Sequence, residues 1–195
     1  MKSLENVSNN HRKEDLKLLF YGILVGIAAG GLSSFYRYII HGIEGIIGGI
    51  VNISRSHFYI YPIIFIALIF ISFLVTKIKK MSRFCGGSGI PQVEAEIKGY
   101  INPNPVKVLL AKIFGGALTA LAGFSVGREG PSIQIGAMSG KLVSRKLKKN
   151  KTVEKFLITC GASAGLAAAF NAPVAGILFA VEEVHRHIRD RKSVV

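Results

Sequence analysis

Phe156–Val181 reads FLITCGASAGLAAAFNAPVAGILFAV. This stretch is longer and more apolar than a helix needs to cross the hydrocarbon layer, about 20 residues, yet it is cut at Phe170-Asn171-Ala172-Pro173. Pro173 has no N–H to donate and disfavours helix at Ala172. Two short helices joined at a break are therefore predicted, rather than one crossing. Irregular backbone at membrane depth is tolerated only where protein or a water-filled cavity surrounds it, so the break marks a place where something other than lipid is met.

Two earlier segments share the design. Gly87-Ser88-Gly89-Ile90-Pro91 opens an element within CGGSGIPQVEAEIKGY (Cys85–Tyr100) that is too short and too polar to span, so it reads as re-entrant and is followed by the turn-rich INPNP. Val106–Phe124 is apolar, and SVGREG separates it from a second apolar stretch, Gly130–Val143. Gly127-Arg128-Glu129-Gly130-Pro131 opens that second helix. Proline suits the start of a helix, where its fixed φ fits and its missing N–H costs nothing, and glycine lets backbone lie close to a ligand. A helix start presents unpaired N–H groups and about half a positive charge. Several converging inside a membrane make a site for a small anion without a lysine in the path, and partial dipoles let the anion leave again.

Composition sets the class. Hydrophobic residues make up 50% of the 195 and the mean hydropathy is +0.42, which is too apolar for a soluble domain. The formal charge of +14 would suit phosphate binding. However, the positive residues fall in blocks between apolar segments, at His11–Lys17, Lys77–Arg83, Lys141–Lys155 and His185–Lys192. With all four blocks in the cytoplasm the positive-inside rule is met and the segment around Asn52–His57 lies outside. Nucleic acid is not an expected partner; membrane lipid is.

Residues 1–17 read as a cytoplasmic, amphipathic leader without the features of a signal peptide, and 18–195 as one transmembrane domain. Leu18–Val51 predicts a long, tilted first helix, and Tyr59–Thr76 returns the chain to the cytoplasm. Gly22, Gly26 and Gly30 fall on one stripe along which another helix is expected to approach. Cys85 and Cys160 support no disulfide framework and read as small packing residues. The phenylalanines Phe20, Phe35, Phe124, Phe170 and Phe179 read as packing or lipid contacts, with Tyr59 and Tyr61 as interfacial anchors.

GSGIP, GREGP followed by SIQIGA, and GASAGLAAAFNAPVAGILFAVEE, in that order, resemble the CLC family of chloride channels and chloride/proton antiporters over roughly Leu18–Glu183. The resemblance implies an all-α, polytopic membrane fold with tilted spanning helices and re-entrant half-helices, this chain corresponding to the first of two inverted halves. It implies an anion site at Ser88, Gly89, Ile90, Arg128, Glu129 and Gly130, with the Ser88 hydroxyl touching the central ion. Serine at that place points to chloride, where proline goes with nitrate preference and methionine with fluoride.

The resemblance also makes Glu129 the gate, filling an anion position when charged and swinging away when protonated. Glu183 becomes the cytoplasmic proton acceptor, with Glu182 beside it. Chloride is then the substrate, protons the coupled ion, and no cofactor or enzymatic activity is expected. Family subunits are dimeric, so a homodimer is implied.

This sequence departs from the family in two places. Gln92 stands where many relatives have glutamate, which weakens the proton route. The GxFxP helix start and the tyrosine of the second half are absent, so the chain is expected to be truncated and to need a C-terminal half. Three functions follow: chloride/proton exchange once completed, a passive chloride channel, or a non-transporting membrane subunit. Plainer readings of single residues also stand. Ser88 could be a helix N-cap, Glu129 a first-turn acid neutralised by Arg128, and Glu182 and Glu183 an interfacial cluster with His185, Arg186 and Arg189. His185 and His187 face different sides of a helix, so no metal is assigned.

Overall fold

A computed structural model describes the backbone of residues 2–124 and 127–192, and the side chains of 14, 16–55, 57, 59–124 and 127–182. Among these residues all regular structure is helical: α1 (Lys2–Ser56), a 3-10 turn (Phe58–Ile60), α2 (Tyr61–Met81), α3 (Ile90–Lys98), α4 (Pro105–Leu121), α5 (Glu129–Lys146), α6 (Lys151–Phe170) and α7 (Pro173–Lys192). Three segments are long and apolar enough to cross a membrane: Leu16–Arg55, Tyr61–Met81 and Lys151–Phe170. The short α3 and the break between α6 and α7 match the expected architecture. Helix α1 runs back to Lys2 through the polar leader, in which nothing stops a helix.

The interruptions are made by local chemistry. Asn104 caps α4, its side chain accepting from the amides of Val106 and Lys107, and Pro105 is the first helical residue. Asn150 caps α6 by accepting from the Val153 amide at 3.0 Å. Helix α6 ends at Asn171 in the left-handed conformation (φ +54°), which asparagine tolerates better than most residues, and Pro173 restarts the chain as α7. Helix α5 begins at Glu129, two residues ahead of Pro131.

Helix α5 is the centre of the domain. Every residue from Gly130 to Lys141 is buried, which requires neighbours on all sides. Its small residues let the backbone of α6 come into direct contact. A methyl group at Gly136 would fall on the Gly161 carbonyl, one at Gly140 on the Leu157 carbonyl, and one at Gly165 on the Ser132 carbonyl. Helix association in lipid relies on such close packing because burial from water no longer drives it.

Helix α1 lies across this pair, burying Val25, Ala29, Ser33, Tyr36, Ile40 and Ile43, with the Ser33 hydroxyl donating to the Ser132 carbonyl at 3.2 Å. That stripe corrects the glycine expectation. A Cβ at Gly22 would only reach the Cys160 sulfur at 4.0 Å, and at Gly26 or Gly30 nothing lies within 4 Å. The apolar residues beside the glycines win the interface because they fill it. Helix α2 buries no residue and leaves Ile63, Phe65, Ile66, Ile69, Phe70 and Phe73 exposed, as a lipid-facing helix does.

Charges are also buried. Lys141 and Glu96 form an ion pair with side chains 0% and 4% exposed, and Lys141 donates to the Pro103 carbonyl at 2.8 Å. Arg145 continues the link to Asn102 at 2.7 Å. Together they fasten α3 and the 99–104 turn to α5.

Candidate anion-binding site

The segment Phe84–Gly89 carries the chain from α2 to the start of α3. Two of its glycines have positive φ, Gly87 at +72° and Gly89 at +102°, a conformation side chains rarely adopt. At Gly89 space forbids a side chain as well: a Cβ would lie 2.8 Å from Gln134 Cβ and 3.0 Å from the Gly130 carbonyl oxygen. Gly130 is the reciprocal case, since a methyl there would overlap the Ser88 carbonyl and sit 3.0 Å from Ser88 Cα. The starts of α3 and α5 therefore meet, residues 88–89 against residues 130 and 134.

Of the residues expected at the anion site, Ser88, Gly89 and Gly130 are brought into contact, and Ile90 and Glu129 open the two helices that meet there. Ser88 is exposed. The N-cap of α3 is Gly89, with no side-chain capping bond, so the Ser88 hydroxyl does not close the helix end. Glu129 is half-buried, and its carboxylate folds back to within 2.9 Å of where a Gly127 Cβ would stand.

Arg128 does not pair with its neighbour Glu129. One guanidinium nitrogen, Nη2, donates to both carboxylate oxygens of Glu44 on α1, at 2.6 and 2.5 Å, a charge-assisted contact. Arg128 therefore does not neutralise Glu129. A carboxylate on a helix far off in sequence outcompetes the adjacent one because neighbouring residues at a helix start do not face each other.

The segment before Ser88 is held by side chains that sequence reading passed over. Four consecutive carbonyls each accept a hydrogen bond. Gln134 Nε2 donates to Phe84 at 2.7 Å, Lys112 Nζ to Cys85 at 3.2 Å and to Gly87 at 2.7 Å, and Gln92 Nε2 to Gly86 at 2.8 Å. Lys112 is 5% and Gln134 1% exposed. The available signal was Lys112 inside the mostly apolar residues 108–121 of α4 and Gln134 among the small and apolar residues 130–140 of α5, since buried polar groups require partners. Gln92, which brings no carboxylate, also has this structural task.

Glu182 is exposed on α7. The side chains of Glu183, His185, Arg186, His187 and Arg189 lie outside the described residues. Among those described, no group of three or more His, Cys, Asp or Glu could hold a metal.

Helices long and apolar enough to cross a membrane, joined to the short α3 and to α5 whose starts meet, define a polytopic helical membrane protein. The chain belongs to the voltage gated chloride channel family, whose model matches residues 67–195. It is 33% identical to an H(+)/Cl(-) exchange transporter, ClcA, of Salmonella schwarzengrund (strain CVM19633) over 180 residues, 91% of this chain and 38% of that relative. Among solved structures it is similar to a slow cyanobacterial Cl-/H+ antiporter (TM-score 0.72, 32% identity, covering 82% of this chain and 38% of that one). It is also similar to a CLC-type fluoride/proton antiporter (TM-score 0.68, 26% identity, 87% and 40%). The chain thus spans about two fifths of the length of the relatives it matches.

Proposed function

We propose that this chain forms one wall of a chloride pathway and, joined by a complementary half, exchanges chloride for protons across the membrane. The observation that carries the reading is the contact of the α3 and α5 starts at Ser88 and Gly130. Two electropositive helix ends share one point there, and an exposed serine hydroxyl stands beside them. Chloride would be held by that hydroxyl and by the backbone amides around it, with dipoles in place of full charges, so that binding stays weak enough for release.

Glu129 occupies the first turn of α5, where its carboxylate, itself an anion, competes with chloride for the same helix end. Protonation removes that competition and lets the side chain carry a proton away. Glu183, assisted by Glu182, would load protons from the cytoplasmic side. A homodimer, each subunit with its own path, would follow the family arrangement. The test is chloride efflux and chloride-driven proton uptake in liposomes containing the chain paired with its complementary half. Coupled fluxes support exchange; chloride flux without proton movement rejects it.

A passive chloride channel is the second reading, favoured by Gln92. Its carboxamide is tied to Gly86 and brings no titratable carboxylate to that position. In that case Glu183→Ala leaves chloride flux intact, with no proton uptake to lose.

A further inference from the structure

The hydrogen bonds around Phe84–Gly87 divide unevenly. All four carbonyls are occupied, by donors from α3, α4 and α5. In contrast, the amides of Gly86, Gly87, Ser88, Gly89 and Ile90 donate to no described residue. Free backbone carbonyls lining an ion path attract cations, whereas successive free N–H groups form a concavity for anions. A flexible, glycine-rich strap could present either face. Here Lys112, Gln134 and Gln92 hold the four carbonyls of Phe84–Gly87 and leave the donors unused beside Ser88.

We propose that Lys112, Gln134 and Gln92 are positioning residues that make the Ser88 segment anion-selective, by sequestering the carbonyls of Phe84–Gly87 and leaving its amides for the ion. This rests on the chloride-path reading above. Lys112 is the principal clamp, because one ammonium spans two alternate carbonyls and, having no acceptor atom, cannot be satisfied by the amides instead. Gln134 performs a second task, filling the space against Gly89 so that the turn into α3 keeps its left-handed geometry.

Cys85 sits in the strap and reports on it. It is half-buried, its own carbonyl is one of the two held by Lys112, and with Cys160→Ala it becomes the sole thiol of the chain. In the purified chain paired with a cysteine-free complementary half, the rate of Cys85 alkylation by a maleimide is measured while potassium chloride replaces potassium gluconate. In the otherwise wild-type background, chloride slows the reaction with a definite midpoint.

Lys112→Met should speed alkylation without chloride roughly tenfold or more, since two hydrogen bonds to a charged donor are lost. It should also move the chloride midpoint upward by a comparable factor, and Lys112→Arg should recover much of both. Gln134→Leu and Gln92→Leu should act in the same direction more weakly, and they carry the test if Lys112→Met does not fold. Unchanged alkylation in a folded variant overturns the proposal. Faster alkylation with an unmoved chloride midpoint also overturns it, because the clamp would then be packing alone. Absence of chloride protection in the unmodified strap rejects the chloride-path reading itself, and the selective role with it, an outcome distinguishable from a failure confined to the variants.

Discussion

The carbonyl of Ser88 rests directly on the Cα of Gly130, so that no side chain of any size fits between the start of α3 and the start of α5. The contact explains why a glycine stands in the first turn of a helix, where it otherwise weakens the structure. It also ties an exposed hydroxyl on one half-helix to an acidic residue, Glu129, at the mouth of the other.

Gly130→Ala should destabilise the domain by about 1–3 kcal/mol, the usual cost of forcing a methyl into occupied space. Gly26→Ala places the same methyl where nothing lies within 4 Å and should be neutral or slightly stabilising, by up to about 1 kcal/mol. Thermal unfolding midpoints in detergent compare the two. Equal effects would mean that the starts of α3 and α5 are not in contact.

The buried pair Lys141–Glu96 predicts a non-additive double mutant. Lys141→Met alone leaves the Glu96 carboxylate buried without its partner and should cost about 3–5 kcal/mol. Adding Glu96→Leu removes the stranded charge and should recover most of that loss, the Pro103 carbonyl remaining unsatisfied at about 1–3 kcal/mol. Chemical denaturation of the three variants tests it, and simple additivity would contradict the pairing.

Glu44 and Arg128 predict an effect on transport rather than on stability. Their side chains are 46% and 33% exposed, so Glu44→Gln should change stability by less than about 1 kcal/mol. The freed guanidinium, however, is left next to Glu129 in the chain. A full positive charge released at the start of α5 should bind chloride too tightly for quick exit and slow its efflux from liposomes carrying the completed protein. Glu44→Gln combined with Arg128→Gln should restore the rate; no slowing in the single variant would show that the pair with Glu44 is not what keeps the Arg128 charge from the path.

The breaks in this fold were legible because they are local events. Asn171-Ala172-Pro173 and the glycines around Ser88 dictate backbone conformation wherever they occur, and the structure bends at both. The burial of α5 on every side was only partly readable, since its composition is small rather than strongly apolar. Gly136 and Gly140 acquire meaning from Gly161 and Leu157 opposite them. Partners chosen across the bundle were not readable. Spacing along α1 put its glycines on one stripe, but the neighbouring stripe from Val25 to Ile43 is the one buried. Adjacent sequence suggested Glu129 for Arg128, whereas the folded chain supplies Glu44. Lys112 and Gln134 carried no motif at all, and their task exists only once α4 and α5 flank the strap.

The central claim is that chloride passes where α3 and α5 meet and that the Glu129 carboxylate competes with it there. It is tested most directly by chloride efflux and proton uptake in liposomes containing the completed protein, wild type against Glu129→Gln, a side chain of the same shape that never carries charge. The account predicts that chloride flux persists while chloride-driven proton uptake is abolished. Both fluxes unchanged would contradict it.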